Sequence, residues 1–390
     1  MSHPSKKRRR DGFTIVELLV VVSIIALLIA ILLPAIGKAR DAARVTQSQG
    51  NLRNLAVSND TYAADWADRQ YTACPDDAGL VNGNGVAYGE QIGCMGQQLV
   101  GYDANGALWG WWCAGGICGG GYPGDPGYWN GCFTYCFVPQ GPGNPYFGAF
   151  RLPCTKAFNS YVGDRWYDPV LWAPKDVIPL RTAENFFEYP GEFTPYDPSN
   201  TSTQVIAYPS YVWSPAAMYH PDVSGHCGFR DPFSGGFPAS FKSPAVGQCK
   251  FPDLKTRMVE HHWLQNNESE SNPSFAGNDP SWIFTQGYNS SPVCLFFDGH
   301  VGVKGVREGM DADRRAQNLY QQNNICSTEC GGGVGNGCEP GLWSRGMATR
   351  FGHGEDGYGG NISYDTLVSS GMHMYTTDGI RGRDFLGSEG

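Results

Sequence analysis

The sequence predicts an α+β protein in which a long N-terminal helix packs on a β-rich, loop-rich globular head stabilised by disulfides. Three observations lead to this prediction. Residues 13–33 form an almost uninterrupted apolar run, and residues 35–65 continue with small and apolar residues near helical spacing. From about residue 67, short aromatic and β-branched segments alternate with glycine, proline and other turn residues. The abundance of glycine (53), proline (26) and aromatic residues (13%) argues against a helical bundle and against a disordered chain.

The apolar run is long enough to cross a bilayer. Its only polar residues are Thr14, Glu17 and Ser23, and a helix of this length measures about 30 Å. Basic residues at positions 6–10 precede the run, and the positive-inside rule places them in the cytoplasm. We therefore predict a single-pass membrane protein with a cytoplasmic N-terminus and a head outside the cytoplasm, which for an inner-membrane protein means the periplasm or the cell exterior. Its predicted segments are a basic leader (1–12), a transmembrane helix (13–33), an exposed continuation of that helix (34–66) and a globular domain (67–390).

Simpler interpretations of the N-terminal segment fit less well. A cleaved secretory signal has a shorter apolar stretch followed by a small-residue cleavage site, and no A-x-A site follows here. A plain anchor does not explain Glu17, because an unpaired carboxylate in lipid costs several kcal/mol. The basic cluster could be a nuclear-type or RNA-binding signal. However, the net charge is −9 and no other basic run occurs, so we predict no nucleic-acid partner.

The residues around Glu17 resemble the class III signal of type IV prepilins and type II secretion pseudopilins. The resemblance rests on the basic leader and GFTIVEL at residues 12–18, followed by the apolar run and Pro34. It implies that a membrane prepilin peptidase cleaves between Gly12 and Phe13 and methylates the new amine of Phe13. It also implies that Glu17 pairs with the N-terminal amine of a neighbouring pilin-like subunit and so sets the axial register. Pro34 is expected to bend the helix.

The resemblance extends more weakly to the rest of the chain. In pilins the exposed half of the helix packs against the head, which implies that Leu52, Leu55 and Ala56 face it. Some large bacterial prepilin-like proteins carry a processing-associated motif, His followed by nine residues and then Asp-Gly. Asp298 and Gly299 match its end, but Tyr288 stands where the His would be. The closing stretch, residues 372–384, also resembles the tail of such proteins.

Strands are predicted from short apolar and aromatic runs bounded by turn residues. The runs are Gln204–Tyr208, Tyr211–Trp213, Ile283–Thr285, Val293–Phe297 and Val301–Val306. The last two flank Asp298-Gly299, which is a hairpin signal. Two regions near residues 74–154 and 309–360 are dense in Gly and Cys, and we predict that they are disulfide-held insertions without regular structure.

Cysteine usage favours an oxidising compartment, since thirteen cysteines are unusual in a reducing one. The connectivity stays open, and the odd count leaves at least one thiol free or paired with another chain. We expect Cys294, in an apolar strand, to be a buried free thiol. The candidate disulfide cysteines are Cys113, Cys118, Cys132, Cys136, Cys326, Cys330 and Cys338.

Motifs for catalysis and for cofactors are weak. GGGYPG at 119–124 fits a nucleotide-binding pattern but follows no predicted strand. The pair His261-His262 lacks an HExxH context, and the cysteine spacings differ from those of zinc sites. Pseudopilins of the major type II class bind calcium in a C-terminal loop, which makes acidic loop residues weak calcium candidates. These are Glu355, Asp356, Asp365 and Asp378; no other cofactor is predicted.

Taken together, these features predict a non-enzymatic pilin-like or pseudopilin protein. It would be cleaved and N-methylated by prepilin peptidase and would act as a structural or minor subunit of a type II secretion or type IV pilus-like assembly. The alternative is a membrane-anchored surface-binding protein that uses the signal for sorting only. Its binding surface would be the aromatic cluster Trp109, Trp111, Trp112, Tyr128 and Trp129. A tethered enzyme is a third and less favoured hypothesis.

Overall fold

The chain divides into two units, residues 1–46 and residues 47–390. A computed structural model describes the following residues: 14–72, 76–82, 87, 91, 99–102, 108–110, 154–189, 193–194, 207, 209–230, 232, 236–260, 291–330, 338–343 and 373–387.

The first element, α1, is a single 51-residue helix, Ile15–Asp65, which continues through Pro34. In the first unit its apolar side chains are exposed from Ile15 to Ile36. This helix is long and apolar enough to cross a membrane, because its N-terminal half contains almost no residue that lipid would exclude.

The C-terminal part of α1 belongs to the second unit and is buried along one face. Leu52 and Leu55 are completely buried and Ala56 is nearly so, which confirms the prediction that these residues face the head. Asn59 lies one turn further along the same face, and its Oδ1 accepts a hydrogen bond from Trp213 Nε1 at 3.0 Å. The helix is therefore held to the head by both apolar packing and polar contacts.

The head contains a four-stranded antiparallel sheet in which strands that follow one another along the chain are hydrogen-bonded neighbours. Its strands are β3 (Tyr211–Trp213), β4 (Thr256–Glu260), β5 (Val293–Phe296) and β6 (Val301–Val303). Every residue of β3, β4 and β5 is buried, so the sheet lies at the core. A separate two-stranded sheet, β1 (Leu99–Tyr102) and β2 (Leu108–Gly110), lies within the region predicted to lack regular structure.

The β5–β6 hairpin confirms the signal at Asp298-Gly299. Gly299 has φ +85°, a conformation that glycine adopts without strain, and Gly299 N donates to Phe296 O at 3.1 Å. The predicted strand Val301–Val306 is wrong in its second half, since β6 ends at Val303 and a helix begins at Val306. The predicted strand at residues 283–285 lies outside the described residues, and of the predicted strand at residues 204–208 only Ala207 is described.

The remaining helices are α2 (Lys156–Asn159), α3 (Val177–Glu184), α4 (Val306–Gln322) and α5 (Ile325–Cys330). The prediction of irregular structure from residue 309 onward is therefore wrong for the stretch up to Cys330. The reason is an amphipathic pattern, in which α4 buries Gly309, Ala312 and Ala316 at helical spacing. That signal lay next to a cysteine- and glycine-rich stretch whose composition suggested a loop.

Disulfides link α5 to two other parts of the head. Cys326 pairs with Cys338, whereas Cys330 pairs with Cys227 across 103 residues of sequence. The neighbouring cysteines 326 and 330 therefore do not pair with each other, since both lie on one short helix. Cys294 is a buried free thiol, as predicted, and Cys154 and Cys249 are free as well. The candidates Cys113, Cys118, Cys132 and Cys136 lie outside the described residues.

Candidate functional site: the processing segment and the buried polar clusters

The predicted processing segment begins just before the described part of the chain, so Gly12 and Phe13 lie outside it. Glu17 lies in the first turn of α1. Its Oε2 accepts hydrogen bonds from Thr14 N at 2.9 Å and from Thr14 Oγ1 at 2.8 Å, and Glu17 N donates to Thr14 Oγ1 at 3.3 Å. This reciprocal arrangement is a capping box. In the single chain the carboxylate is therefore satisfied by its own helix start, a few residues after the predicted cleavage point.

Arg257 on β4 binds the C-terminal part of α1 with two guanidinium nitrogens and Gln70, just beyond the helix, with the third. Nη1 contacts Asp60 Oδ1 at 2.5 Å, Nη2 donates to Asn59 O at 3.2 Å and Nε donates to Gln70 Oε1 at 2.9 Å. Arg257 is almost completely buried, while Asp60 is largely exposed. Because a guanidinium offers several donors in a fixed plane, this one side chain fixes the helix end against the sheet.

Glu260 forms a second buried polar contact between β4 and α1. Its carboxyl group binds Ser48 Oγ and accepts a hydrogen bond from Val293 N at 3.0 Å. Ser48 Oγ in turn contacts Tyr211 OH at 2.8 Å. Burial raises the pKa of Glu260 to about 7, because the charged form loses its hydration. A protonated Glu260 can donate to Ser48 while it accepts from Val293.

Lys255 and Asp384 form an ion pair at the start of β4, and both side chains are completely buried. Lys255 Nζ lies 3.0 Å from Asp384 Oδ2, 2.8 Å from Ser214 Oγ and 3.1 Å from Thr256 O. Burial lowers the pKa of Lys255. Burial by itself would raise the pKa of Asp384, but Lys255 and neighbouring hydrogen-bond donors outweigh it and hold that pKa below its usual value.

Three further residues surround Asp384. Thr256 Oγ1 donates to Oδ2 at 2.6 Å and lies 2.7 Å from His373 Nδ1. Oδ1 accepts from Thr376 Oγ1 at 2.5 Å and from His373 N at 3.2 Å. Burial and the charge of Lys255 lower the pKa of His373 to about 3, so its imidazole is neutral. We call Ser214, Lys255, Thr256, His373, Thr376 and Asp384 the Lys255–Asp384 cluster.

Asp378 is the one calcium candidate that lies in the described part of the chain. Asp378 Oδ1 accepts hydrogen bonds from His226 N and Nδ1 at 2.9 and 3.0 Å. Glu355, Asp356 and Asp365 lie outside the described residues. His226 also neighbours Cys227 and Cys330, but these two sulfurs form a disulfide. Calcium binding therefore stays a prediction without a located site.

The partial family motif lies at an exposed turn. Asp298 Oδ1 accepts hydrogen bonds from His300 N at 3.0 Å and His300 Nδ1 at 2.6 Å, and Gly299 supplies the turn conformation. Tyr288 lies outside the described residues. The visible role of this half of the motif is to close the hairpin.

Sequence reasoning missed the Lys255–Asp384 cluster, although part of it lies in the closing stretch that the family resemblance had singled out. The signal was present at β4, because Lys255 precedes the strand and the strand itself contains Arg257 and Glu260, three positions apart. A buried strand with charges on both faces needs partners for them. The partners come from residues 373–384, more than a hundred positions away, and no local pattern indicates that pairing.

Comparisons with known proteins match limited parts of the chain. The model of the prokaryotic N-terminal methylation motif matches residues 7–33. The chain is also 35% identical over 60 residues to the type II secretion system core protein G of Pseudomonas aeruginosa, a match that covers 15% of this chain and 42% of that protein. No solved structure matches the chain. The chain therefore carries a prepilin-type N-terminal methylation motif at residues 7–33, and a 60-residue stretch of it is similar to a type II secretion pseudopilin.

Proposed function

We propose that this protein is a pilin-like subunit of a type II secretion or type IV pilus-like assembly. Prepilin peptidase cleaves it between Gly12 and Phe13 and methylates the amine of Phe13. Helix α1 anchors it in the inner membrane, with the head on the periplasmic or extracellular side. Its role is structural, and its partners are other pilin-like subunits.

The observation that carries the proposal is the continuity of the methylation motif with α1. The motif covers residues 7–33, and the helix that begins at Ile15 runs without interruption to Asp65, where its buried face joins the core of the head. One continuous helix thus connects the processing segment to the folded domain. This arrangement suits a subunit whose helices pack together in a membrane while the heads face outward.

Glu17 supplies the means of assembly. A carboxylate in lipid is costly when it is alone, and in the described part of the single chain its hydrogen bonds come from Thr14. The methylated amine of a neighbouring Phe13 would provide a positive partner, and the pair forms in one axial register only. The charge pair therefore specifies the assembly more than it stabilises the isolated subunit.

Replacement of the carboxylate tests this role. Glu17→Ala should leave membrane insertion intact but abolish incorporation of the subunit into higher assemblies, measured by cross-linking in cells followed by gel analysis. Ser23→Ala is the matched control in the same apolar run, because the Ser23 hydroxyl bonds to its own helix at Val20 O. Assembly of Glu17→Ala at the level of Ser23→Ala would contradict the proposal.

A further inference from the structure

The Lys255–Asp384 cluster is a buried ion pair surrounded by further polar side chains. A primary amine and a carboxyl group are in contact at 3.0 Å, and both are completely buried. Proximity in a fixed orientation favours an intramolecular reaction, and the contact to Oδ2 places Nζ beside the carboxyl carbon to which Oδ2 is bonded. The other members of the cluster contact one or the other of these two groups.

We propose that Lys255 and Asp384 form an intramolecular amide cross-link between Nζ and Cγ, with loss of one water molecule. The bond would join the start of β4 to the C-terminal segment, residues 373–387. It needs no oxidant, cofactor or second protein, since an ammonium and a carboxylate contain every atom of the amide and of the water.

The proton inventory of the reaction balances within the cluster. The ammonium carries three protons, directed at Asp384 Oδ2, Ser214 Oγ and Thr256 O. Transfer of one proton to Oδ2 gives a neutral amine and a carboxylic acid, and the amine then attacks Cγ. A second nitrogen proton leaves with Oδ2 as water, and the third remains on the amide nitrogen. Burial acts in favour of the first step on both groups, because it lowers the pKa of Lys255 and by itself raises the pKa of Asp384, whereas the attraction between the two charges opposes that step.

The two oxygens of Asp384 have different surroundings, and each suits a different role. Oδ1 accepts hydrogen bonds from Thr376 Oγ1 at 2.5 Å and His373 N at 3.2 Å. These two fixed donors can stabilise the negative charge that develops on Oδ1 when the amine attacks. Oδ2 accepts from Thr256 Oγ1 at 2.6 Å, and that hydroxyl also contacts His373 Nδ1 at 2.7 Å. Thr256 N donates to Oδ2 as well, at 3.0 Å, so Thr256 stabilises the leaving oxygen by hydrogen bonds without giving up a proton.

The environment favours the amide over the ion pair. Ser214, Lys255, His373, Thr376 and Asp384 are each fully inaccessible to solvent. A buried ion pair retains the cost of desolvating two charges, whereas an amide and a released water carry none. Hydrolysis of the amide would require water to re-enter a site that the fold closes.

Peptide mapping of the full-length protein, purified from membranes in detergent, tests the proposal. After reduction, alkylation and trypsin digestion, the cross-link protects the Lys255–Thr256 bond. We expect one branched peptide in which residues 251–257 are joined to residues 384–390 and whose mass is one water below the sum of the two parts. Cleavage at Lys255 together with a free, unmodified peptide 384–390 would overturn the proposal.

Variants separate the cross-link from its assisting groups. Lys255→Arg keeps a cation but cannot form this bond, so the branched peptide should disappear. Thr376→Val removes one donor to Oδ1 and should slow formation of the link after synthesis by about a hundredfold, while Thr376→Ser keeps the hydroxyl and should form it at the wild-type rate. Equal rates for the two Thr376 variants would contradict the role assigned to Thr376. Peptide mapping of the wild-type protein tests the cross-link even if a variant does not fold. Its outcome does not depend on whether the protein assembles into filaments.

Discussion

Glu260→Gln should remove a pH dependence that the fold imposes on the stability of the head. The carboxyl has an ordinary pKa of 4.5, and burial raises the pKa of Glu260 to about 7 in the folded protein. Folding therefore favours the protonated form. The contribution to stability is fully present below pH 4.5, and it is lost as the pH rises through about 7.

The difference between these two pKa values gives the size of the effect. At about 1.4 kcal/mol per pH unit, the wild type loses about 3 kcal/mol of unfolding free energy from this group between pH 4.5 and pH 8. The glutamine side chain of the variant stays neutral at every pH and can keep the contacts of the protonated acid. Its Oε1 can accept from Val293 N, and its Nε2 can donate to Ser48 Oγ, which then donates to Tyr211 OH.

Urea unfolding of the detergent-solubilised protein, followed by tryptophan fluorescence between pH 4.5 and pH 8, measures this effect. Glu260→Gln should match the wild type near pH 4.5 and exceed its stability by up to about 3 kcal/mol at pH 8. Glu308→Gln, which replaces an exposed carboxylate paired with Lys304, is the control and should leave the wild-type pH profile in place. A Glu260→Gln variant whose stability declines with pH as steeply as that of the wild type would refute the reasoning.

Two further substitutions test the contacts that hold the head together. Arg257→Lys keeps the charge but cannot reach Asn59 O, Asp60 and Gln70 at once, so it should lower the unfolding free energy by about 2 kcal/mol in the same urea assay; an unchanged midpoint would contradict the anchoring role of Arg257. Cys330→Ser removes the disulfide to Cys227, which joins positions 103 residues apart, and should cost about 4 kcal/mol. Cys294→Ser changes a buried free thiol without removing a disulfide and is the control for Cys330→Ser. Equal stability of the wild type and Cys330→Ser under oxidising conditions would argue against the disulfide between Cys330 and Cys227.

Local sequence patterns predicted the helix and one hairpin correctly, for physical reasons that act over a few residues. The apolar run and the helical spacing of Leu52, Leu55 and Ala56 placed α1 and its buried face. The Asp298-Gly299 pair predicted the turn between β5 and β6, because glycine accepts the positive φ that the turn needs.

Contacts between distant segments were beyond the reach of such patterns. Cys330 pairs with Cys227 rather than with its neighbour on the same helix, and Lys255 meets Asp384 across 129 positions. These pairings depend on how the sheet and the C-terminal segment come together. Composition also misled the interpretation of α4, where nearby cysteines and glycines suggested a loop although the spacing of buried residues was helical.

Mass spectrometry of the mature N-terminus tests the central claim most directly. The protein would be purified from membranes, digested with a protease that leaves the N-terminal peptide intact, and sequenced by tandem mass spectrometry. Our account predicts a chain that begins at Phe13 with a methylated amine, because the methylation motif covers residues 7–33 and its resemblance to prepilin signals places the cut after Gly12. An N-terminus that retains Met1, or one created by cleavage beyond Leu33, would contradict it.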